Sequence, residues 1–230
     1  MTRKNHLAGA VEPSVTVDCP EWLRDFVAAA PRMPVPPMLR PPGNGARAAA
    51  VLILFGEGPA GPDLLLLQRA DTLRKHAGQP AFPGGGIDPG DGGPVGAALR
   101  EAAEETGLDP SGVAVLASMP ELYVSRSGYR VTPVVAWWRE PSAVAAGDPG
   151  EVASVARVPL SELTDPANRL LVRAPSGYLG PAFRARGMLV WGFTAGLVHR
   201  VLEVGGWDRP WDKSRIEDLP PEVIDLATRG

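Results

Sequence analysis

The sequence contains one cysteine, Cys19, among its 230 residues. A single cysteine excludes a disulfide within the chain, and we interpret Cys19 as a small, inert residue. This scarcity fits a reducing environment. We therefore expect a cytoplasmic protein.

Long apolar runs and an excess of one charge are also missing. No stretch of about 18 apolar residues occurs, so no transmembrane helix is predicted. The opening MTRKNHLAGAVEPS has no apolar core of a secretory signal. Lys and Arg number 23 against 26 Asp and Glu, a net charge of −3. This balance gives no basis for binding nucleic acid or a membrane.

The composition otherwise suits one globular domain with extensions. Apolar residues make up 44% of the chain, enough for a sizeable core. We predict an N-terminal extension at 1–43, with a short helix and a proline-rich linker, a domain at 44–206 and a polar tail at 207–230. The helix, Glu21 to Ala30, is expected either to pack back on the domain or to mediate a homodimer.

Apolar runs and alternation predict the strands of the domain. Arg47–Phe55 and Leu64–Arg69 are predicted to form a hairpin. Residues 168–187 are predicted to be irregular, and Met188 to Val204 to form one helix. Further strands are predicted at Val113–Met119, Glu121–Val124, Tyr129–Trp138 and Val152–Val158.

The candidate functional residues are concentrated between Phe82 and Leu108, in the stretch FPGGGIDPGDGGPVGAALREAAEETGL. A glycine-rich turn leads into a helix with Gly93 as N-cap, Pro94 at the first position and Gly107 after its end. At helical spacing the exposed face presents Arg100 and three carboxylates, while the other face is small and mostly apolar. The three carboxylates belong to Glu101, Glu104 and Glu105.

Such an acidic face has two interpretations. REAAEE alone is typical of a solvated helix face. Three nearby carboxylates with one cation also suit a hard divalent ion such as Mg²⁺, which takes oxygen ligands. Glu101 and Glu105 are four residues apart, so both can reach one ion, whereas Arg100 serves Glu104 best.

The whole stretch resembles the box of the Nudix hydrolase family, G-x5-E-x7-R-E-U-x-E-E-x-G-U, with U aliphatic. Its second half matches at Arg100, Glu101, Ala102, Glu104, Glu105, Gly107 and Leu108. The leading glycine falls on Gly86, but the first glutamate falls on Gly92. Because that glutamate chiefly supports the box arginine, we predict that Asp91 or Asp88 supports Arg100 instead.

The residues upstream resemble a Nudix subgroup, the coenzyme A pyrophosphatases, with the signature L-L-T-x-R-[SA]-x3-R-x3-G-x3-F-P-G-G. The matches are Leu65, Leu66, Arg69, Ala70, Arg74, Gly78, Phe82, Pro83, Gly84 and Gly85. Only the threonine position differs, as Leu67. The two motifs cover about a fifth of the chain.

The resemblance implies an α+β Nudix fold, a mixed β-sheet sandwiched between helices. It implies Mg²⁺ or Mn²⁺ held by Glu101 and Glu105, with Glu104 and a Gly85 carbonyl as further candidate ligands. Arg100 would hold the acidic cluster in position. The general base would be Glu104 or, as a second candidate, Glu151, which alternatively faces only water.

The same resemblance implies a substrate, coenzyme A or an acyl derivative, cleaved to 4′-phosphopantetheine and adenosine 3′,5′-bisphosphate. The candidate phosphate contacts are the basic loop residues Arg69, Arg74, Lys75 and His76, although such a loop alone is typical of a protein surface. Two alternatives remain. The chain is either a Nudix hydrolase for ADP-ribose, a dinucleotide or an oxidised nucleoside triphosphate, or a non-catalytic nucleotide-sensing module.

Overall fold

The computed structural model describes residues 18–42, 45–73 and 76–228. Its main sheet has eight strands: β1 Arg47–Gly58, β2 Gly61–Arg69, β3 Pro80–Ala81, β4 Gly84–Gly86, β5 Val113–Ser118, β6 Leu122–Val124, β7 Tyr129–Trp138 and β8 Val152–Pro159. The order is β3-β2-β1-β7-β5, while β4 pairs with β1, β6 with β7 and β8 with β2. The β1–β7 pair is parallel and the other pairs are antiparallel, so the sheet is mixed.

Helices cover both faces of this sheet, as predicted. The chain forms α1 Glu21–Ala29, α2 Pro94–Thr106, α3 Leu160–Thr164, α4 Gly192–Val204 and α5 Pro221–Thr228. Because strand side chains alternate, Leu52 and Leu54 of β1 pack with the alanines of α2. Ile53 and Phe55 face the other way and pack with α1 and α4. The sandwich therefore has two separate apolar layers.

The N-terminal helix packs on the domain, which answers the choice left open by the sequence. Leu23 and Phe26 of α1 are fully buried. Trp22 makes edge contacts with the rings of Phe55, Trp137 and Trp207. Two short 3₁₀ turns, at Ala30–Arg32 and Pro37–Leu39, carry the chain from α1 towards β1.

The predictions for the C-terminal third were wrong in detail. Residues 168–187 form a hairpin of β9 Arg169–Arg173 and β10 Leu179–Ala185, which β11 Met188–Val190 and β12 Ile216–Asp218 extend to a second, four-stranded sheet. The turn at Gly177, with φ of 82°, is the overlooked hairpin signal. Consequently the predicted helix starts only at Gly192, and the predicted polar tail contains β12 and α5. The division at residues 44 and 206 stays a prediction.

Across the described residues, every helix is too short or too polar to cross a lipid bilayer.

Candidate active site

The glycine strand β4 lies directly beneath the acidic face of α2. It pairs with β1 through Gly84 and Val51, Gly85 and Ala50, and Gly86 and Ala49. A Cβ atom at residue 85 would collide with the carboxylate of Glu101. A side chain at residue 85 would therefore displace the Glu101 carboxylate, because the strand and that carboxylate approach each other closely.

Helix α2 has the predicted ends. Gly93 is its N-cap, Pro94 its first residue, and Gly107 closes it in the left-handed conformation with φ of 67°. Ala97, Ala98 and Ala102 are fully buried against the sheet. These small residues let the helix approach the sheet closely, so that the glutamates on its flank reach β4.

The expectation that all three carboxylates are exposed is wrong for Glu105. Only 6% of this residue is accessible to solvent. Its Oε2 accepts a hydrogen bond from the Gly84 N–H at 2.9 Å. Burial raises the pKa of Glu105 to about 7; the charges of Glu101 and Glu151 raise it further, while the Gly84 N–H and Arg69 oppose the shift. The site thus contains a buried carboxylate whose negative charge is offset only in part by the Gly84 N–H and Arg69.

Arg69 contacts this carboxylate, and Glu151 lies in the loop beside Arg69. Arg69 ends β2 and pairs with Val152 at the start of β8. The Ala70 N–H donates to the carbonyl of Glu151 at 2.9 Å, which fixes the loop. The guanidinium Nη1 of Arg69 lies 3.5 Å from Oε1 of Glu105. The upstream motif and the box helix therefore meet in a single site.

Arg100 is held by Asp91, one of the two aspartates that the sequence predicted. Its Nε and Nη2 donate to the two carboxylate oxygens of Asp91 at 2.7 and 3.1 Å. The Asp91 side chain is 5% exposed, and the hydrogen bonds from Arg100 are the main cause of its lowered pKa. Nη2 also donates to the Gly86 carbonyl at 3.2 Å, whereas Asp88 lies 3.8 Å away and is exposed. This bidentate contact ties the box loop to the helix.

The other two glutamates differ in their surroundings. Glu104 is exposed and accepts from Nη1 of Arg100 at 2.9 Å. Glu101 is half-buried, lies 3.1 Å from the same Nη1, and has a pKa that burial raises. Arg100 therefore holds both carboxylates along one edge of the helix.

The donor set fits a divalent ion that is only partly coordinated by protein. Among residues 18–42, 45–73 and 76–228, no three Asp, Glu, His or Cys side chains are grouped closely enough to hold an ion alone. Mg²⁺ usually takes one or two carboxylates, several waters and substrate phosphate. Glu101 lies against Gly85 and Glu105 accepts from the Gly84 N–H, so the two carboxylates converge on β4. The buried charge of Glu105 would be compensated by such an ion.

The remaining predicted residues lie in the loop after β2. Arg74 and Lys75 are outside the described residues. His76 is half-buried, with a left-handed φ of 56°, and its Nδ1 is 3.1 Å from Oε1 of Gln79. The roles assigned to these residues stay predictions.

Comparison with known proteins identifies the family. A family model described as the NUDIX domain matches residues 45–178. The chain is 42% identical over 180 residues to a protein of Citrobacter koseri, covering 73% of this chain and 90% of that one. It is 38% identical over 177 residues to a protein of Escherichia coli K12, with the same coverage. Both relatives are described as uncharacterized Nudix hydrolase NudL.

The chain belongs to the Nudix family. A solved Nudix hydrolase of M. smegmatis, RenU, has the same fold, with a TM-score of 0.51, 23% identity, and coverage of 74% of this chain and 92% of that one. The chain is thus an enzyme that hydrolyses pyrophosphate bonds, and Nudix hydrolases generally use divalent metal ions.

The one departure from the Nudix box has a structural reason. Gly92, at the position of the first box glutamate, has a φ of 68°, which strains any residue with a side chain. The neighbouring Asp91 supplies the carboxylate to Arg100 instead. In this chain the carboxylate that supports the box arginine therefore comes from Asp91, one residue before the usual position in the Nudix box.

Proposed function

We propose that this Nudix hydrolase cleaves the diphosphate of coenzyme A and its acyl derivatives, giving 4′-phosphopantetheine and adenosine 3′,5′-bisphosphate. The observation that carries the proposal is the contact of Arg69 with Glu105. Arg69 belongs to the signature that resembles the coenzyme A subgroup, and Glu105 belongs to the general Nudix box. Their contact indicates that the subgroup signature forms a wall of the reaction site.

We propose the following roles for the acidic residues. Glu101, Glu105 and a Gly85 carbonyl would hold Mg²⁺ or Mn²⁺, with Glu104 as a further ligand. The ion would neutralise diphosphate charge and lower the pKa of a bound water. Glu104 would accept the proton of the attacking water, with Glu151 as the second candidate.

Arg100 would act indirectly by holding Glu101 and Glu104, and Asp91 would position Arg100.

The test is a panel of diphosphates. The protein is incubated with Mg²⁺ or Mn²⁺ and coenzyme A, acetyl-coenzyme A, ADP-ribose or a dinucleoside polyphosphate, and products are identified by mass. We expect the highest kcat/KM for coenzyme A or its thioester. Faster cleavage of ADP-ribose or the dinucleotide would support the alternative, a Nudix hydrolase of another nucleoside diphosphate derivative.

The 3′-phosphate of coenzyme A provides a sharper test. A charge-assisted hydrogen bond contributes roughly 1.5–3 kcal/mol, so coenzyme A should exceed dephospho-coenzyme A in kcat/KM by about tenfold or more. Arg74→Ala and Lys75→Ala should shrink that ratio. Arg69→Ala should instead lower both rates, because Arg69 faces Glu105. A ratio that survives both Arg74→Ala and Lys75→Ala would place the phosphate site elsewhere, with Arg126 and Arg130 as the next candidates.

A non-catalytic sensing module is not favoured, because all three box-helix glutamates are present. A cytoplasmic location and a homodimer stay predictions.

A further inference from the structure

A cavity of about 580 Å³ lies in the apolar layer on the α1 and α4 side of the main sheet, away from α2. Four separate segments line it: the arm at 33–39, residues 119–126 with strand β6, the β9–β10 hairpin and the first two-thirds of α4. Its volume falls within the roughly 300–1,000 Å³ that is usual for small-molecule sites.

The wall of this cavity is apolar and adaptable. Its main side chains are Met33, Met38, Met119, Leu122, Phe193 and Leu197. Methionine adapts its shape to irregular apolar ligands. The two most exposed large apolar residues in the described part of the chain, Met38 at 70% and Tyr178 at 56%, both border the cavity. Exposed apolar side chains gathered at one opening indicate a binding site.

Two of the polar side chains on the wall are already engaged with protein. Arg200 Nη1 is 3.0 Å from Oε2 of Glu203, and its Nη2 donates to the Pro34 carbonyl, which fastens the arm to α4. His199 Nδ1 accepts from Arg169 at 3.0 Å, since a guanidinium only donates. An apolar chain therefore suits most of this wall better than a phosphate does, and Arg126 is the charged side chain that also borders it.

The cavity lies within reach of the reaction site. Thr194 of α4 donates its hydroxyl hydrogen to the Pro80 carbonyl at 2.9 Å. Pro80 is four residues from Gly84, whose N–H binds Glu105, and four residues span at most about 14 Å. A pantetheine arm has twelve bonds between its phosphate oxygen and sulfur; at roughly 1.2 Å per bond it extends about 15 Å. Thr194 follows Phe193, which lines the cavity, so with that contact and that step the wall lies at most about 25 Å from Gly84. An octanoyl thioester adds eight bonds, about 10 Å, so the arm and a medium-length acyl chain together can span this distance.

We propose that this cavity binds the acyl chain of an acyl-coenzyme A, so that medium-chain thioesters are preferred over coenzyme A itself. This inference rests on the proposed function, because the arm must start from a diphosphate bound beside β4. The pantetheine arm carries two amides, and the acyl chain is the part of such a substrate that matches an apolar wall.

Gly196 offers a way to fill the cavity without disturbing its surroundings. It lines the cavity, lies within α4, and has no atom within 4 Å of where its Cβ would be. Leucine and alanine both favour a helix over glycine. Gly196→Leu therefore occupies the cavity, and Gly196→Ala is the matched control.

The first measurement is kcat/KM for coenzyme A and for its acetyl, octanoyl and dodecanoyl thioesters. Each buried methylene favours binding by roughly fourfold, so octanoyl should exceed acetyl by at least about tenfold. Gly196→Leu should remove most of that preference, and Gly196→Ala should retain it. Equal rates for all chain lengths, or a Gly196→Leu loss that is the same for every substrate, would overturn the inference.

The second measurement separates this inference from the proposed function. S-octanoyl-pantetheine, which has no diphosphate, is titrated into the protein by calorimetry. We expect binding to the wild-type protein that Gly196→Leu weakens at least tenfold. No binding to the wild-type protein would overturn the inference even if coenzyme A is hydrolysed. Binding that Gly196→Leu abolishes, in a protein that cleaves no coenzyme A species, would support the cavity and refute the proposed function.

Discussion

The acidic site and the apolar cavity flank the same main sheet and draw on very different lengths of chain. Most of the acidic site comes from residues 84–105, completed by Arg69 at the end of β2. The cavity combines segments that begin at Met33 and end at Arg200. A site built from contiguous residues can be recognised in the sequence as a motif with fixed spacing. A site assembled from distant segments by tertiary packing leaves no such motif. The two sites should therefore respond differently to small substitutions.

The largest effect is expected at Glu105, the most buried member of the acidic site. Glu105→Gln removes the charge of a proposed metal ligand but keeps an oxygen for the Gly84 N–H. Metal-assisted charge stabilisation is worth several kcal/mol, so kcat should fall by roughly 1,000-fold or more. Steady-state kinetics with Mg²⁺ would measure this. Glu57→Gln, at an exposed position on β1, is the control. A kcat close to that of the wild-type protein would refute the assignment of Glu105 as a ligand.

The contact between β4 and Glu101 is the next point at which to test the acidic site. Gly85→Ala places a Cβ against the Glu101 carboxylate and must displace either the strand or the ligand. We expect a loss in kcat/KM of about 100-fold, since small misplacements at a reacting centre have effects of that size. Gly90→Ala has open space and serves as the control. Equal activity of the two variants would show that the close approach is not needed.

A smaller effect is expected one step away from the ligands. Asp91→Asn weakens the bidentate support of Arg100, so kcat should fall by roughly 10- to 100-fold, as for other residues that orient ligands. Asp88→Asn should change kcat far less, because its contact with Arg100 is 3.8 Å and exposed. If the two variants lose the same activity, Asp91 has no special role.

These contrasts also explain how much the sequence could predict. The ends of α2 and the β1–β2 hairpin follow from turn residues and periodicity, which act locally. The support of Arg100 by Asp91 or Asp88 was predicted from the departure at Gly92 from the Nudix box, and the structure shows Asp91. The burial of Glu105 and its contact with Arg69 depend on the pairing of β2 and β4 with different stretches of β1. Spacing within a sequence motif does not predict such pairing. The second sheet was missed because its hairpin turn at Gly177 lies between short strands.

The burial of Glu105 has a measurable consequence for stability without metal. Its pKa in the folded protein is about 7, above the ordinary value of 4.5. The folded protein therefore binds this proton more tightly than the unfolded chain. Its contribution to stability is complete below pH 4.5 and is lost as the pH rises through 7. Burial of the charged form is the main cause of that loss.

Replacing Glu105 by glutamine should remove the loss of stability that the buried charge causes at high pH. In EDTA at pH 8, Glu105→Gln should melt several degrees above the wild-type protein, since about 1 kcal/mol corresponds to roughly 2–4 °C in a chain of this size. At pH 5 the difference in melting temperature should be much smaller, because Glu105 is still protonated in the folded protein and this pH is only about half a unit above its unfolded pKa. Calorimetry at both pH values measures the difference in melting temperature between Glu105→Gln and the wild-type protein, with Glu57→Gln as the control. A gap that is the same at pH 5 and pH 8 would mean that the carboxylate is not held in a dry site, and the contrast between its burial and the exposure of Glu104 would lose its basis.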